Sequence, residues 1–217
     1  MKAKPHPLAI AVALLARAIS GVEVRWAGCR PDARQRIYFA NHASHLDFAV
    51  LWSALPPELR SRTRPVAAED YWDRGLRAYF AQTVFHAVLV RRRAQEEQAD
   101  EEALAESRKQ IECLATAMGH ADSLILFPEG TRGTGETIAP FRSGLYYLAR
   151  RKPEVELVPA YLRDLSRILP KGEVLPVPLM SCVTFGEPLH FDGCETKAAF
   201  LDRARAAVQA LSCRGPQ

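Results

Sequence analysis

Two short apolar runs, Arg36-Ile-Tyr-Phe-Ala40 and Ser123-Leu-Ile-Leu-Phe127, constrain the fold of this chain most. Each is too short for a stable helix and too continuously apolar for a strand with one wet face, so each reads as a buried strand. Helical patterns lie between the strands. Residues 94–118 open with Glu96, Glu97, Asp100, Glu101 and Glu102, which suit a helix N-terminus. Leu104, Ile111, Leu114 and Ala115 then recur at helical spacing, and Gly119 supplies a C-cap. Further strands are expected at 22–26, 65–68, 84–90, 155–158 and within 174–185, and further helices from the Ser44 turn to about 55, and at 72–80, 143–151 and 197–211. This alternation predicts a single α/β domain, a largely parallel twisted sheet flanked by helices.

The N-terminus adds a separate element. Lys2 and Lys4 precede Leu8-Ala-Ile-Ala-Val-Ala-Leu-Leu-Ala16, which Arg17 ends. The run is far shorter than the roughly 20 residues a membrane-spanning helix needs. It fits an amphipathic helix lying in a membrane interface, a signal peptide, or a helix covering the core. The expected division is a membrane-surface helix over 1–21 and the main α/β domain over 22–217, with monotopic or peripheral attachment. Charge is uneven in the same sense: residues 1–93 hold 15 Lys/Arg against 7 Asp/Glu, residues 94–217 hold 14 against 18. A basic front half suits an anionic membrane, a phosphorylated substrate or nucleic acid, but no nucleic-acid motif accompanies it. The five cysteines are widely spaced with no CxxC pair, as for reduced thiols rather than a disulfide framework or zinc site.

Two polar segments directly follow the buried strands, where α/β sheets collect ligands. The first is Asn41-His-Ala-Ser-His-Leu-Asp47. His42 and Asp47 would not meet on a regular helix, but a turn at Ser44 brings them together. A carboxylate on one imidazole nitrogen then makes the other a general base for a hydroxyl. The same residues leave other readings open: His42, His45 and Asp47 as metal ligands, or capping residues and surface histidines. The second segment is Phe127-Pro-Glu-Gly-Thr-Arg-Gly133. Gly130 permits positive φ or close approach, Glu129 and Thr131 offer polar contacts, and Arg132 can clamp a phosphate. Alternatively, Arg132 pairs internally with Glu129 or Asp47.

Together the segments resemble the glycerolipid acyltransferase family, whose bacterial type member acylates lysophosphatidic acid. Asn41, His42, Ser44 and Asp47 match its N-H-x-S-x-x-D motif. Phe127, Pro128, Glu129, Gly130, Thr131 and Arg132 match F-P-E-G-T-R-S, with Gly133 in place of the last Ser. The family's G-x-x-F-I-x-R motif has a degenerate counterpart ending at Arg91 or Arg92, with Arg92 favoured. Phe141-Arg-Ser-Gly144, Val158-Pro159-Ala160 and Val183-Thr-Phe-Gly-Glu-Pro188 resemble later family segments.

The resemblance implies acyl transfer from acyl-CoA or acyl-carrier protein to the hydroxyl of a lyso-lipid, first 1-acylglycerol-3-phosphate giving phosphatidic acid. His42 and Asp47 are its catalytic residues; Glu129, Gly130, Thr131 and Arg132, with Arg92 or Arg91, bind substrate. Asn41, Ser44, Phe127, Pro128 and Pro159 are structural, and His45, at a variable motif position, is a local structural residue. No metal or other cofactor is needed, because a thiol leaves readily. Backbone N–H groups at the helix start after Asn41 are candidates for oxyanion stabilisation. The implied place is the cytoplasmic face of the inner membrane. A lyso-ornithine lipid is an alternative acceptor; a metal-dependent hydrolase or a non-catalytic lipid-binding scaffold is an alternative of another class.

Overall fold

The computed structural model describes residues 6–91, 101–165 and 180–213. Its centre is a seven-stranded sheet among the described residues, built from β1 (Glu23–Trp26), β2 (Arg36–Ala40), β3 (Thr63–Ala68), β4 (Val88–Val90), β5 (Ser123–Leu126), β6 (Glu156–Arg163) and β7 (Cys182–Phe185). The order is β1-β7-β6-β2-β5-β3-β4. Strands β2 to β6 run parallel; β7 is antiparallel to β6, and β1 follows β7. The two expected buried strands are adjacent at the middle, with Phe39 opposite Leu126.

Side-chain alternation along these strands divides the core in two. Tyr38, Ala40, Ile125, Val158 and Ala160 face the layer of α1 (Pro7–Ser20) and α2 (Asp47–Ala54). Ile37, Phe39, Leu124 and Leu157 face α6 (Glu101–Met118), α7 (Gly144–Arg151) and α8 (Lys197–Ser212). Because every strand of the centre is covered on both faces, β2 is buried at all five positions. Arg36, at its start, is fully buried and tied to Glu156 on β6 by Nε at 2.9 Å. That ion pair lies at the end of the strand remote from the polar loops.

The expected single helix over 72–80 is instead two, α4 (Glu69–Trp72) and α5 (Gly75–Thr83), broken where Gly75 takes φ +58. The expected strand at 84–90 shrinks to β4, because Val84 and Phe85 still bond back to the carbonyl of Phe80 and His86 takes φ +47. Conversely, β6 runs through Pro159. The Pro159 carbonyl accepts the Gly186 N–H at 2.8 Å, so the missing donor faces β7's exit and not the β2 ladder. Residues 94–100 and 174–179 of the expected helix and strand lie outside the described residues, as does Arg92.

Helix α1 is capped by His6, whose Nδ1 accepts the Leu8 N–H, and by Gly21 at φ +50. It buries Ala13, Ala16 and Ser20 on the α2 side. Ile10, Leu14 and Leu15 point outward, the last two about 60% exposed (63% and 59%). Among the described residues no helix is long and apolar enough to cross a membrane.

Candidate active site

Strands β2 and β5 deliver the two polar segments side by side at their C-terminal ends. Asn41 continues the β2–β6 ladder with its side chain: Nδ2 donates to the Leu162 carbonyl at 3.0 Å, and Oδ1 accepts the Leu162 N–H at 2.8 Å. The chain therefore leaves the sheet only at His42.

His42 and Asp47 meet. Nδ1 of His42 lies 2.8 Å from Oδ2 of Asp47, which begins α2. The same oxygen accepts the N–H groups of Ala43 at 2.6 Å and Ser44 at 2.8 Å. Two successive amides converging on one carboxylate are the nest geometry that holds an anion. Asp47 is buried, while the His42 side chain keeps 19% of its surface open. The ring stacks on Phe127, centroids 4.4 Å apart. With its Nδ1 side fixed on a carboxylate, the imidazole has Nε2 as its remaining basic atom.

Glu129 serves the same loop from β5. One oxygen accepts the His42 N–H at 2.7 Å and the other the Ala139 N–H at 2.8 Å. Its carboxyl is buried, which raises its pKa above the ordinary range against the lowering effect of those two amides. Gly133 N–H closes onto the His42 carbonyl at 2.8 Å. The backbone amides of 42, 43 and 44 are thus all engaged by carboxylates, so these three are not available as oxyanion donors. Ser44 is buried and its Oγ accepts the Leu46 N–H.

Gly130 sits at φ +72, and a Cβ there would lie 2.5 Å from Nε of Arg142. Only glycine fits. Arg142, absent from the sequence-derived site, donates to the Glu129 carbonyl at 3.3 Å. Its signal was present in Phe141-Arg-Ser-Gly144. Thr131 is exposed, and Arg132 is half-buried. Arg132 pairs with neither Glu129 nor Asp47: its Nη1 hydrogen-bonds Nε2 of His45. His45 in turn stacks on Tyr71 at 5.3 Å. Hence His42, His45 and Asp47 do not converge as ligands, and no group of three His, Cys, Asp or Glu able to hold a metal occurs among the described residues. Arg91 is exposed and ion-paired with Glu69 at 3.0 Å. A cleft of about 340 Å3 adjoins His42, lined also by Asn41, Glu129, Ile138, Tyr161 and Arg205. The α8 contribution to that wall was not foreseen; its helical pattern carries no mark of it.

The chain matches the family model described as Acyltransferase over residues 22–163. It is 29% identical over 178 residues to a 1-acyl-sn-glycerol-3-phosphate acyltransferase of Limnanthes douglasii, covering 80% of this chain and 57% of that protein. The namesake protein of Limnanthes alba is 29% identical over 176 residues, 79% of this chain and 56% of the relative. The chain thus spans somewhat over half the length of these relatives. The crystal structure of the 1-acyl-sn-glycerophosphate (LPA) acyltransferase PlsC from Thermotoga maritima superposes with a TM-score of 0.67, covering 97% of this chain and 82% of that one. At 19% identity that likeness is one of fold.

Proposed function

The chain belongs to the acyltransferase family, and we propose that it moves a fatty acyl group from a thioester to the hydroxyl of a lyso-lipid. The observation that carries this reading is the buried Asp47 carboxylate holding Nδ1 of a partly open His42 at 2.8 Å. Nε2 of His42 takes the acceptor's hydroxyl proton as the oxygen attacks the thioester carbonyl. Asp47 stabilises the imidazolium, the C–S bond breaks, and the proton passes to the leaving thiolate. The free thiol and the ester are the products. No acyl-enzyme is invoked, since Ser44 is buried in the turn that carries the dyad.

The acceptor proposed is 1-acylglycerol-3-phosphate, giving phosphatidic acid, with acyl-CoA or acyl-carrier protein as donor. Support comes from Arg132 at the site's edge, unpaired with any carboxylate among the described residues, and from the named activity of the two Limnanthes relatives. Glu129 and Gly130 act in this scheme as the brace that seats the His42 loop. Between the two motif arginines, Arg91 already pairs with Glu69, and His86 takes positive φ at the place of the motif glycine counted back from Arg92. Both points favour Arg92.

The outward leucines of α1 support a helix in the membrane interface, with 1–21 as the surface element and 22–217 as the acyltransferase domain; the cytoplasmic face of the inner membrane is proposed on the family resemblance alone. The deciding experiment is a thiol-release assay with acyl-CoA and acyl-carrier protein against a panel of lyso-lipids, lysophosphatidic acid and lyso-ornithine lipid included. His42-dependent release with lysophosphatidic acid is expected. No His42→Ala-sensitive release with any acceptor sinks the reading.

A further inference from the structure

The sequence treats His45 as a local packing residue, yet its ring reaches across to the β5 loop. Nε2 of His45 accepts a hydrogen bond from Nη1 of Arg132. Its ring is fixed from behind by Tyr71, 5.3 Å away and 25° from parallel. Tyr71 itself carries the Arg77 guanidinium 4.2 Å from its centroid. Three elements thus cooperate to hold one rotatable arginine.

The chemical type of the partner is informative. Arginine has five donors and no acceptor, and its long side chain loses rotamer freedom when it is fixed on a ligand. A carboxylate partner would fix it but would also cancel its charge and compete with an incoming phosphate. A neutral imidazole fixes it and leaves the charge intact. His45 is suited to stay neutral: burial first, then the charges of Arg132, His42 and Arg77, lower its pKa against the opposing effect of Asp47. One Nη1 hydrogen is engaged, so the rest of the guanidinium fork keeps its donors for a bidentate contact.

We propose that His45 is a positioning residue that pre-orients Arg132, without neutralising it, for the phosphomonoester of the acceptor. This rests on the acyltransferase reading above and assigns a role to a motif position that the match itself leaves variable.

The test is a double-mutant cycle on the full chain, read as KM and kcat for lysophosphatidic acid in the thiol-release assay. His45→Ala is expected to raise KM about tenfold or more, the scale of one hydrogen bond to a charged group, with kcat little changed. His45→Gln, which can still accept from Nη1, restores most of the affinity. His45→Glu holds the arginine but neutralises it, so KM stays high although the hydrogen bond is kept. In an Arg132→Ala background, His45→Ala adds nothing further. With a monoacylglycerol as uncharged acceptor, His45→Ala leaves KM unaltered.

Equal effects of His45→Ala with and without Arg132 overturn the proposal, as does a loss confined to kcat. Should wild type release no His42-dependent thiol at all, the acyltransferase reading fails by itself. The same variants are then read by calorimetric affinity for glycerol 3-phosphate: coupling between positions 45 and 132 upholds the positioning role, and its absence refutes it.

Discussion

Replacing Asp47 by Asn removes one charge and almost no geometry. Oδ2 accepts from His42 Nδ1 and from the amides of Ala43 and Ser44, whereas Oδ1 is buried without a hydrogen-bond partner. An asparagine therefore seats its oxygen in the nest and its NH2 where Oδ1 was; the reverse rotamer sets an NH2 against two N–H donors. What disappears is the attraction between carboxylate and imidazolium as His42 becomes charged. At about 4 Å between charge centres and an effective dielectric of about 20, that attraction is about 4 kcal/mol. The expected result is a kcat lower by about a thousandfold with KM nearly unchanged. Initial rates of thiol release at saturating donor and acceptor measure it, and circular dichroism melts confirm that the variant is folded. A folded Asp47→Asn enzyme within about tenfold of wild-type kcat refutes the electrostatic role assigned to Asp47.

Other perturbations separate the supports of the site. Gly130→Ala forces a Cβ onto Arg142 at φ +72 and should cost about 2–4 kcal/mol in denaturant unfolding; adding Arg142→Ala should recover the steric part only. Asn41→Leu leaves the buried N–H and C=O of Leu162 unpaired, at about 1–3 kcal/mol each, and should lower Tm by several degrees; an unchanged melt contradicts the ladder role. Glu129 has a folded pKa above its ordinary 4.5, so the folded state holds its proton more tightly and this group's contribution to stability declines as pH rises through and above that value. Glu129→Gln should lower Tm at all pH, with the gap to wild type narrowing as pH rises above the ordinary 4.5; a widening gap refutes the sign. Leu14→Ser with Leu15→Ser should weaken co-sedimentation with anionic phospholipid vesicles by about a hundredfold while the fold persists; unaltered sedimentation removes α1 from the membrane.

Periodicity and turn chemistry made much of this legible. The two buried strands, the helix over 101–118 and the His42–Asp47 contact all follow from local pattern plus a turn at Ser44. What stayed hidden depends on strand order. Glu129 looked like a substrate contact because nothing local says that its oxygens reach amides at 42 and 139. His45 looked inert because its partner Arg132 lies 87 residues away. Both links exist only because β2 and β5 become neighbours, a fact that composition and spacing do not contain. Pro159 marks the opposite limit: proline suggests a strand end, yet β6 continues through it because β7 stops where the missing donor would be needed.

The hydrogen bonds divide the site into a fixed half and an adjustable half. Every amide from 42 to 44 lands on a carboxylate, from α2 or from the β5 loop, and the His42 carbonyl is held by Gly133. In the proposed reaction His42 is therefore in place before any substrate arrives, which is the condition for electrostatic catalysis without reorganisation. Arg132, by contrast, is held by one neutral partner on an open edge. Changes to the first half should act on kcat, because they alter the field at the imidazolium. Changes to the second should act on KM for a phosphorylated acceptor, because they alter only how a guanidinium meets it. Since the loop amides are already engaged, the proposed acyl transfer requires that charge developing on the thioester oxygen be met by groups outside residues 42–44. The wall of the cleft that includes Tyr161 and Arg205 is where such a donor is to be sought.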